Sequence, residues 1–389
     1  MNASRRMALH YVCLFGGTGV SLPFAGLWFR AQGLSGADIG ILLAAPMLGR
    51  LITGPAVAVW ADGFRYRRTA LAILAVVAAA AYGATGLVQG LWLWGPLWFL
   101  GATAAAAMIP LADAMTMRLA RREGFSFAIP RGFGSAAFVA ANILMGAVLT
   151  GVGVDAVILW IVAASALAAV GATWLLPPET VEDGPPVARM ERFRGLGRLV
   201  IDPAFMTAIL AVGCIQATHA FYYGFSAIAW KAQGLPESLT GLLWAFSVLV
   251  EIGVMWWLEP WRRRAGIGAW AVLGVGAAAA MVRWTALAFA PPLWALWPLQ
   301  ALHGLTFAAT YLAGVEIADR LSPPNGKTSA QTLNSMLASG VLMGLATLAA
   351  GPLYDAAGVG GYLAMTALAV LGGGLAFMGS RRRPARSAV

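Results

Sequence analysis

Six ionisable side chains stand inside long uncharged stretches of this 389-residue chain: Arg50, Asp113, Arg131, Glu251, Arg283 and His303, with His219 a seventh candidate. Carboxylates and imidazoles can carry a proton. Guanidinium groups can hold a carboxylate through two parallel hydrogen bonds. Charges in an apolar surrounding are costly, so each of these residues is a functional candidate. Other chemistries are scarce. Three His and two Cys are too few for a metal cluster or a disulfide framework. Cys13 and Cys214 lie in apolar runs, where a thiol behaves as a small hydrophobe. No catalytic pattern such as HExxH occurs, so the chain does not read as an enzyme, and no metal or organic cofactor is implied.

The elements that position these residues follow from composition. The chain is 60% hydrophobic and 11% charged, against about half and a quarter in an ordinary soluble domain. That excludes a soluble enzyme, a disordered chain and a nucleic-acid module. A membrane-crossing helix needs roughly 20 apolar residues. Twelve such spans are expected, near 7–29, 38–60, 69–89, 93–117, 128–150, 156–177, 204–230, 238–259, 267–290, 293–318, 328–350 and 356–379. They are continuously apolar, unlike the alternating strands of a membrane barrel. The first is too long for a signal-peptide core and is not followed by a cleavage site.

Of the 26 Lys and Arg, three lie inside spans and only Arg30 and Lys231 fall on one side of the membrane; the rest gather on the other. The positive-inside bias places both termini in the cytoplasm. The longest connection, 178–203, is rich in charge, Pro and Gly and reads as a cytoplasmic linker. It divides the chain into an N-terminal half (1–177) and a C-terminal half (204–380), followed by a basic tail (381–389).

The halves echo each other. RAQGLSGADIGILL from Arg30 matches KAQGLPESLTGLLW from Lys231, and WADGFRYRR from Trp60 is echoed by WLEPWRRR from Trp257. The offset of the first pair sets Arg50 against Glu251. Two parallel six-helix repeats are the plan of major facilitator transporters, which bind solute near the midplane.

Depth follows from spacing. Asp113 and Arg131 flank the loop between spans four and five, each about nine residues from its centre, or ~13 Å at ~1.5 Å per residue. They fall at similar depth and are able to pair. Arg283 and His303 flank the Pro291–Pro292 turn at ~15 Å, and Glu251 lies ~16 Å before Arg262. Five ionisable groups from both halves are thus expected at the midplane. Fixed ion pairs that only orient helices are the structural alternative for each. His219 reads as structural or proton-coupling, and Arg50, with no evident partner, as structural or gating. Phe221, Tyr222, Tyr223 and Phe225 either pack or line an aromatic cavity.

At the level of motifs the chain resembles a major facilitator permease of the phenylpropionate-permease type, similar to lactose permease of the oligosaccharide/proton symporters. The resemblance spans nearly the whole chain. It is carried by THAFYYGFSAIAW and GLLWAFSVLVEIGV, by VRWTAL and LQALHGLTFA, and by GPLYDAAGVGGYL from Gly351. It implies that Asp113 and Arg131, with Ser135 and Phe138 further along the RGFGS helix, bind substrate. Glu251, Arg283 and His303 stand at the family's span-eight, span-nine and span-ten charged positions. The acidic proton carrier one turn after that histidine is replaced by Thr306. The gating motif between spans two and three reads AVWADGFRYRR, in which Asp62, Arg67 and Arg68 match and both glycines do not. The glycine-proline signature of efflux antiporters is missing from span five.

The expectation is an all-α integral membrane protein with twelve helices in two repeats. It would be a proton-coupled symporter importing a small organic solute such as an aromatic carboxylate by alternating access. Substrate would meet Asp113, Arg131, Ser135, Phe138, Tyr222, Tyr223 and Arg283. Proton coupling would fall first to Glu251, then to His303 or His219. At Glu251, burial and a nearby arginine act on proton affinity in opposite senses. Gating would involve Asp62, Arg67, Arg68 and Arg50. The partners would be solute, protons and the lipid bilayer, with no nucleic acid, and the chain would act as a monomer in a bacterial inner membrane. Symport of a sugar or nucleoside, uniport, and a non-transporting membrane sensor remain alternatives.

Overall fold

In a lipid core no water is present to satisfy backbone N–H and C=O groups, so each apolar span must close its own hydrogen bonds as a helix. The computed structural model, which describes residues 1–180, 196–323 and 327–381, bears this out. Most of the expected linker and all of the tail beyond Arg381 lie outside the described residues. Among those described, the only β-pairing is a bridge between Tyr66 and Thr180.

The long helices are α1 (Ala3–Ala31), α2 (Gly36–Asp62), α3 (Arg67–Leu87), α4 (Leu91–Glu123), α5 (Ala128–Val148), α6 (Ala156–Leu175), α7 (Pro203–Ala232), α8 (Glu237–Arg264), α9 (Ala269–Ala288) and α10 (Leu293–Leu321). A final apolar stretch, Ser329–Arg381, is 53 residues long. A straight helix of that length would span ~80 Å, far beyond a ~30 Å core. It turns at Gly358, where φ is +53°. That turn separates α11 (Lys327–Ser335, Met336–Leu342 and Met343–Ala357) from α12 (Tyr362–Arg381), which makes twelve long helices among the described residues.

Packing gathers the chain into two compact units. One comprises Met1–Asp183 with Tyr223–Ala245; the other comprises Gly184–Tyr222 with Phe246–Val389. In the first unit the backbones of α1 and α7 meet at Gly26 and Gly224, and those of α5 and α8 at Gly146 and Gly241. Side chains larger than hydrogen would force these helices apart, as small residues at membrane helix interfaces generally prevent. In the second unit α12 packs on α7 and α9.

The internal repeat has a physical cause. Gly33 and Gly234, the matching glycines of the two AQGL segments, both take positive φ, +88° and +82°. In each turn the following leucine N–H reaches back five residues: Leu34 to the Phe29 carbonyl and Leu235 to the Trp230 carbonyl. The two turns are the same glycine-terminated helix cap, which only a residue tolerant of the left-handed region accommodates.

Candidate functional site

In the first unit, α4 supplies Asp113 and α5 supplies Arg131. Arg131 Nε lies 3.5 Å from Asp113 Oδ1, with the side chains 31% and 28% exposed. The pair expected from spacing therefore forms. Helix α1 completes it. Tyr11 Oη donates to Asp113 Oδ1 at 2.6 Å and lies 3.1 Å from Thr116 Oγ1. The Arg131 guanidinium lies 4.1 Å from the centre of the Phe15 ring, on the next turn of α1, and 5.8 Å from that of Tyr11. A planar cation laid on an aromatic face keeps its in-plane N–H groups available. Ser135 and Phe138 follow Arg131 at four and seven residues, on the same face of α5 and half-buried.

The second unit holds a different arrangement. His303 Nε2 is 2.6 Å from Glu251 Oε1. On its other side His303 Nδ1 is 2.8 Å from Arg283 Nη1. A guanidinium only donates, so Nδ1 accepts and the imidazole proton resides on Nε2, where it is donated to the carboxylate. The order of donation is Arg283 to His303 to Glu251. Arg283 Nη2 also donates to Gln300 Oε1 at 2.5 Å and Nη1 to Thr306 Oγ1 at 3.3 Å. Thr306 in turn lies 3.0 Å from His219 Nε2, whose Nδ1 is 2.9 Å from the Gln216 carbonyl. The cluster is closed: Arg283 is 0% and His303 3% exposed, and the Glu251 side chain 15%. Tyr222 and Trp284 cover the guanidinium, at 4.8 and 4.5 Å from their ring centres.

The helices that carry this cluster are irregular where the polar residues stand. Helix α7 breaks between Ala217 and Ala220, at His219. A π-helical turn, Gly304–Ala309, begins directly after His303, and another, Val254–Leu258, begins three residues after Glu251. Such one-turn widenings re-aim side chains and are frequent at functional sites.

The remaining candidates are distributed. Tyr223 belongs to the first unit and packs on Trp244 at 5.6 Å, while its neighbour Tyr222 is buried in the second unit's cluster. Arg283, expected at the substrate, is enclosed and engaged with His303, Gln300 and Thr306. Arg50, expected as a buried charge, is exposed. Asp62 ends α2 and Arg67 opens α3. Arg68 Nη1 donates to the Leu176 carbonyl at 3.2 Å, and the Arg67 N–H donates to the Glu179 carbonyl at 3.1 Å. The loop between α2 and α3 is thereby tied to the segment that follows α6.

Tyr11, Phe15, Thr116 and Gln300 escaped a reading that weighed charge. Gln300 carried one signal, a neutral amide in an apolar run three residues before His303. Tyr11 and Phe15 carried only their spacing of one helical turn.

A model of the family described as "MFS_1 like family" matches residues 4–362. The chain belongs to that family. Its relatives include the "Probable 3-phenylpropionic acid transporter" of Escherichia coli (strain K12), 29% identical over 377 residues, 95% of this chain and 96% of that protein. The maltose permease of Geobacillus stearothermophilus is 25% identical over 89% of this chain and 86% of its own. Among solved structures, the nucleoside transporter NupG matches with a TM-score of 0.85 at 15% identity, over 98% of this chain and 100% of that one. A bacterial homologue of the human lysosomal transporter Spinster matches at 0.74 and 16%, over 98% of both chains. At these identities the structural likeness speaks to fold alone. The family and the relatives are transporters, so this MFS_1-like chain is an integral membrane permease and not an enzyme.

Proposed function

We propose that this chain is a proton-coupled symporter that imports a small aromatic carboxylate, of the 3-phenylpropionate kind, by alternating access. It works as a monomer in a bacterial inner membrane with both termini cytoplasmic, and its halves, 1–177 and 204–380, are the moving bodies. The observation that carries this reading is the division of labour between the two ion clusters. Arg131 is accessible and stacked on an aromatic ring, with Asp113 and Tyr11 fixing its position. A carboxylate can take the guanidinium N–H groups that Asp113 leaves open. Ser135, Phe138 and Tyr223 surround the solute's apolar part.

Glu251 carries the proton. A proton placed on His303 Nδ1 would set two donors, His303 and Arg283, against each other at 2.8 Å. A proton placed on Glu251 leaves that contact intact and cancels the charge that His303 now serves. Arg283, His303, Thr306 and His219 position the carboxyl group, and Arg283 acts here rather than on the solute. Asp62, Arg67 and Arg68 gate the cytoplasmic side by holding the α2–α3 loop to the end of α6.

The test is uptake of labelled 3-phenylpropionate into proteoliposomes under an imposed inward proton gradient. Uptake that needs the gradient, and that is lost in Arg131→Ala, supports the reading; gradient-driven accumulation by Glu251→Gln overturns the proton assignment. One observation favours a second solute class: Asp113 accepts a hydroxyl hydrogen from Tyr11 at 2.6 Å, as it could from a sugar or nucleoside hydroxyl. Uptake of nucleosides or disaccharides in the same vesicles, with none of 3-phenylpropionate, would select that class.

A further inference from the structure

The two π-helical turns that follow Glu251 and His303 line one cleft. Val254 and Leu258 from the first, Leu305 and Ala309 from the second, and Val275 of α9 enclose about 190 Å³. That is below the ~300 Å³ at which pockets for drug-sized solutes begin. The walls are aliphatic except at one end, where Glu259, Trp261 and Arg262 stand. Arg262 is held by Glu259 and Glu316, each at 2.7 Å. Arg263 reaches Glu259 at 2.6 Å and Arg320 reaches Glu316 at 2.5 Å. Arg264 donates to the Pro260 carbonyl at 3.2 Å. Arg263 and Arg264 follow Arg262 at the end of α8, so this network of four arginines and two carboxylates beside the cleft carries an excess of positive charge. Beside it Trp256, Trp257 and Trp261 are 70%, 70% and 53% exposed, as aromatic side chains at a membrane–water interface are.

A narrow apolar slot that ends in surplus arginines among interfacial tryptophans matches an amphiphile with one negative head. Such basic niches between membrane helices hold anionic lipid headgroups. We propose that the cleft takes a segment of one acyl chain of an anionic phospholipid, with the phosphate on Arg263 and Arg264. Its occupancy holds the two π-helical turns, and with them Glu251 and His303, in their present register. This last step rests on the proton-coupling reading; the binding itself does not.

The experiment is native mass spectrometry of the purified full chain with phosphatidylglycerol or phosphatidylcholine as the probe. Phosphatidylglycerol-dependent stimulation of uptake in proteoliposomes is measured alongside. Val275→Trp fills the cleft, and Arg263→Gln with Arg264→Gln removes the two arginines beside it; neither touches the Asp113–Arg131 or Arg283–His303–Glu251 groupings. Wild type is expected to retain phosphatidylglycerol preferentially, and both variants to lose that preference by about tenfold or more. Uptake by the variants should no longer respond to the lipid. Equal retention of the two lipids by wild type would overturn the site. So would retention by Val275→Trp that matches wild type, since that would reduce the effect to surface charge. Selective retention without any uptake would leave the lipid site standing and count against the transport reading.

Discussion

Asp113–Arg131 and Arg283–His303–Glu251 are both acid–base groupings inside apolar helices, yet they are built to opposite ends. The first is one long ion pair at 3.5 Å, nearly a third exposed, with an aromatic ring beneath the guanidinium. The second is a chain of short hydrogen bonds at 2.6 and 2.8 Å, closed over by tyrosine and tryptophan. An exposed pair at long range costs little to separate and is free to exchange partners. A closed chain in a low-dielectric surrounding is costly to disturb, and it transmits a change at one end to the other. The first suits a ligand that comes and goes. The second suits a proton whose arrival must be felt by the helices.

The most direct way to break this contrast is to delete the arginine in each place. Arg283→Leu removes a cation buried against His303 and Glu251, and breaking a buried pair this way costs ~3–5 kcal/mol. Melting in detergent should fall well below wild type, and adding Glu251→Gln should restore part of the loss. Arg131→Ala should leave melting close to wild type. If the two single variants melted alike, the division into a fixed and an exchangeable site would be lost.

Binding should show the reverse order. A hydrogen bond to a charged group contributes ~1.5–3 kcal/mol, so Arg131→Ala is expected to weaken affinity for an aromatic carboxylate by roughly 10- to 100-fold. Arg131→Lys should recover only a fraction, because an ammonium lacks the planar fork and the stacking on Phe15. Titration of the purified protein with 3-phenylpropionate measures both.

Glu251→Gln tests the other side of the contrast. One proton moved down one pH unit supplies about 1.4 kcal/mol, enough for about tenfold accumulation of solute. The amide cannot take that proton, so accumulation should fall to parity with the outside. Exchange of internal for external solute, which needs no net proton movement, should persist. Loss of exchange together with accumulation would place Glu251 among the solute contacts.

What could be read from the chain was what the lipid makes expensive. Charges in apolar runs stand out, so all three members of the closed chain were visible, and their spacing predicted the Asp113–Arg131 pair. The repeated AQGL turns were visible too, because a left-handed cap leaves glycine little substitute. Residues whose cost is low left no comparable trace. Tyr11 and Gln300 are unexceptional in a helix, and their roles depend on neighbours from other helices. Nor do the π-helical turns at Val254 and Gly304 have a composition of their own. Two arginines in an aromatic-rich apolar core, Arg131 and Arg283, suggest an anion, and residue types alone do not specify the packing that buries one of them behind Tyr222 and Trp284.

Tyr11→Phe offers the finest test of the comparison. The substitution keeps the ring beside the Arg131 guanidinium and removes one hydroxyl. That hydroxyl donates to Asp113 and meets Thr116, which itself donates to the Ala112 carbonyl. Without it Asp113 keeps Arg131 as its charged partner and, being 28% exposed, can be resolvated. The loss should therefore be that of one ordinary hydrogen bond, ~1 kcal/mol or about fivefold in solute affinity, with melting almost unchanged. A closed cluster would respond otherwise, since an orphaned buried acceptor pays its whole desolvation cost. A drop in stability comparable to that of Arg283→Leu would therefore show that the Asp113 grouping is as rigid as its counterpart, and the assignment of exchange to one and retention to the other would fail at its most lightly held residue.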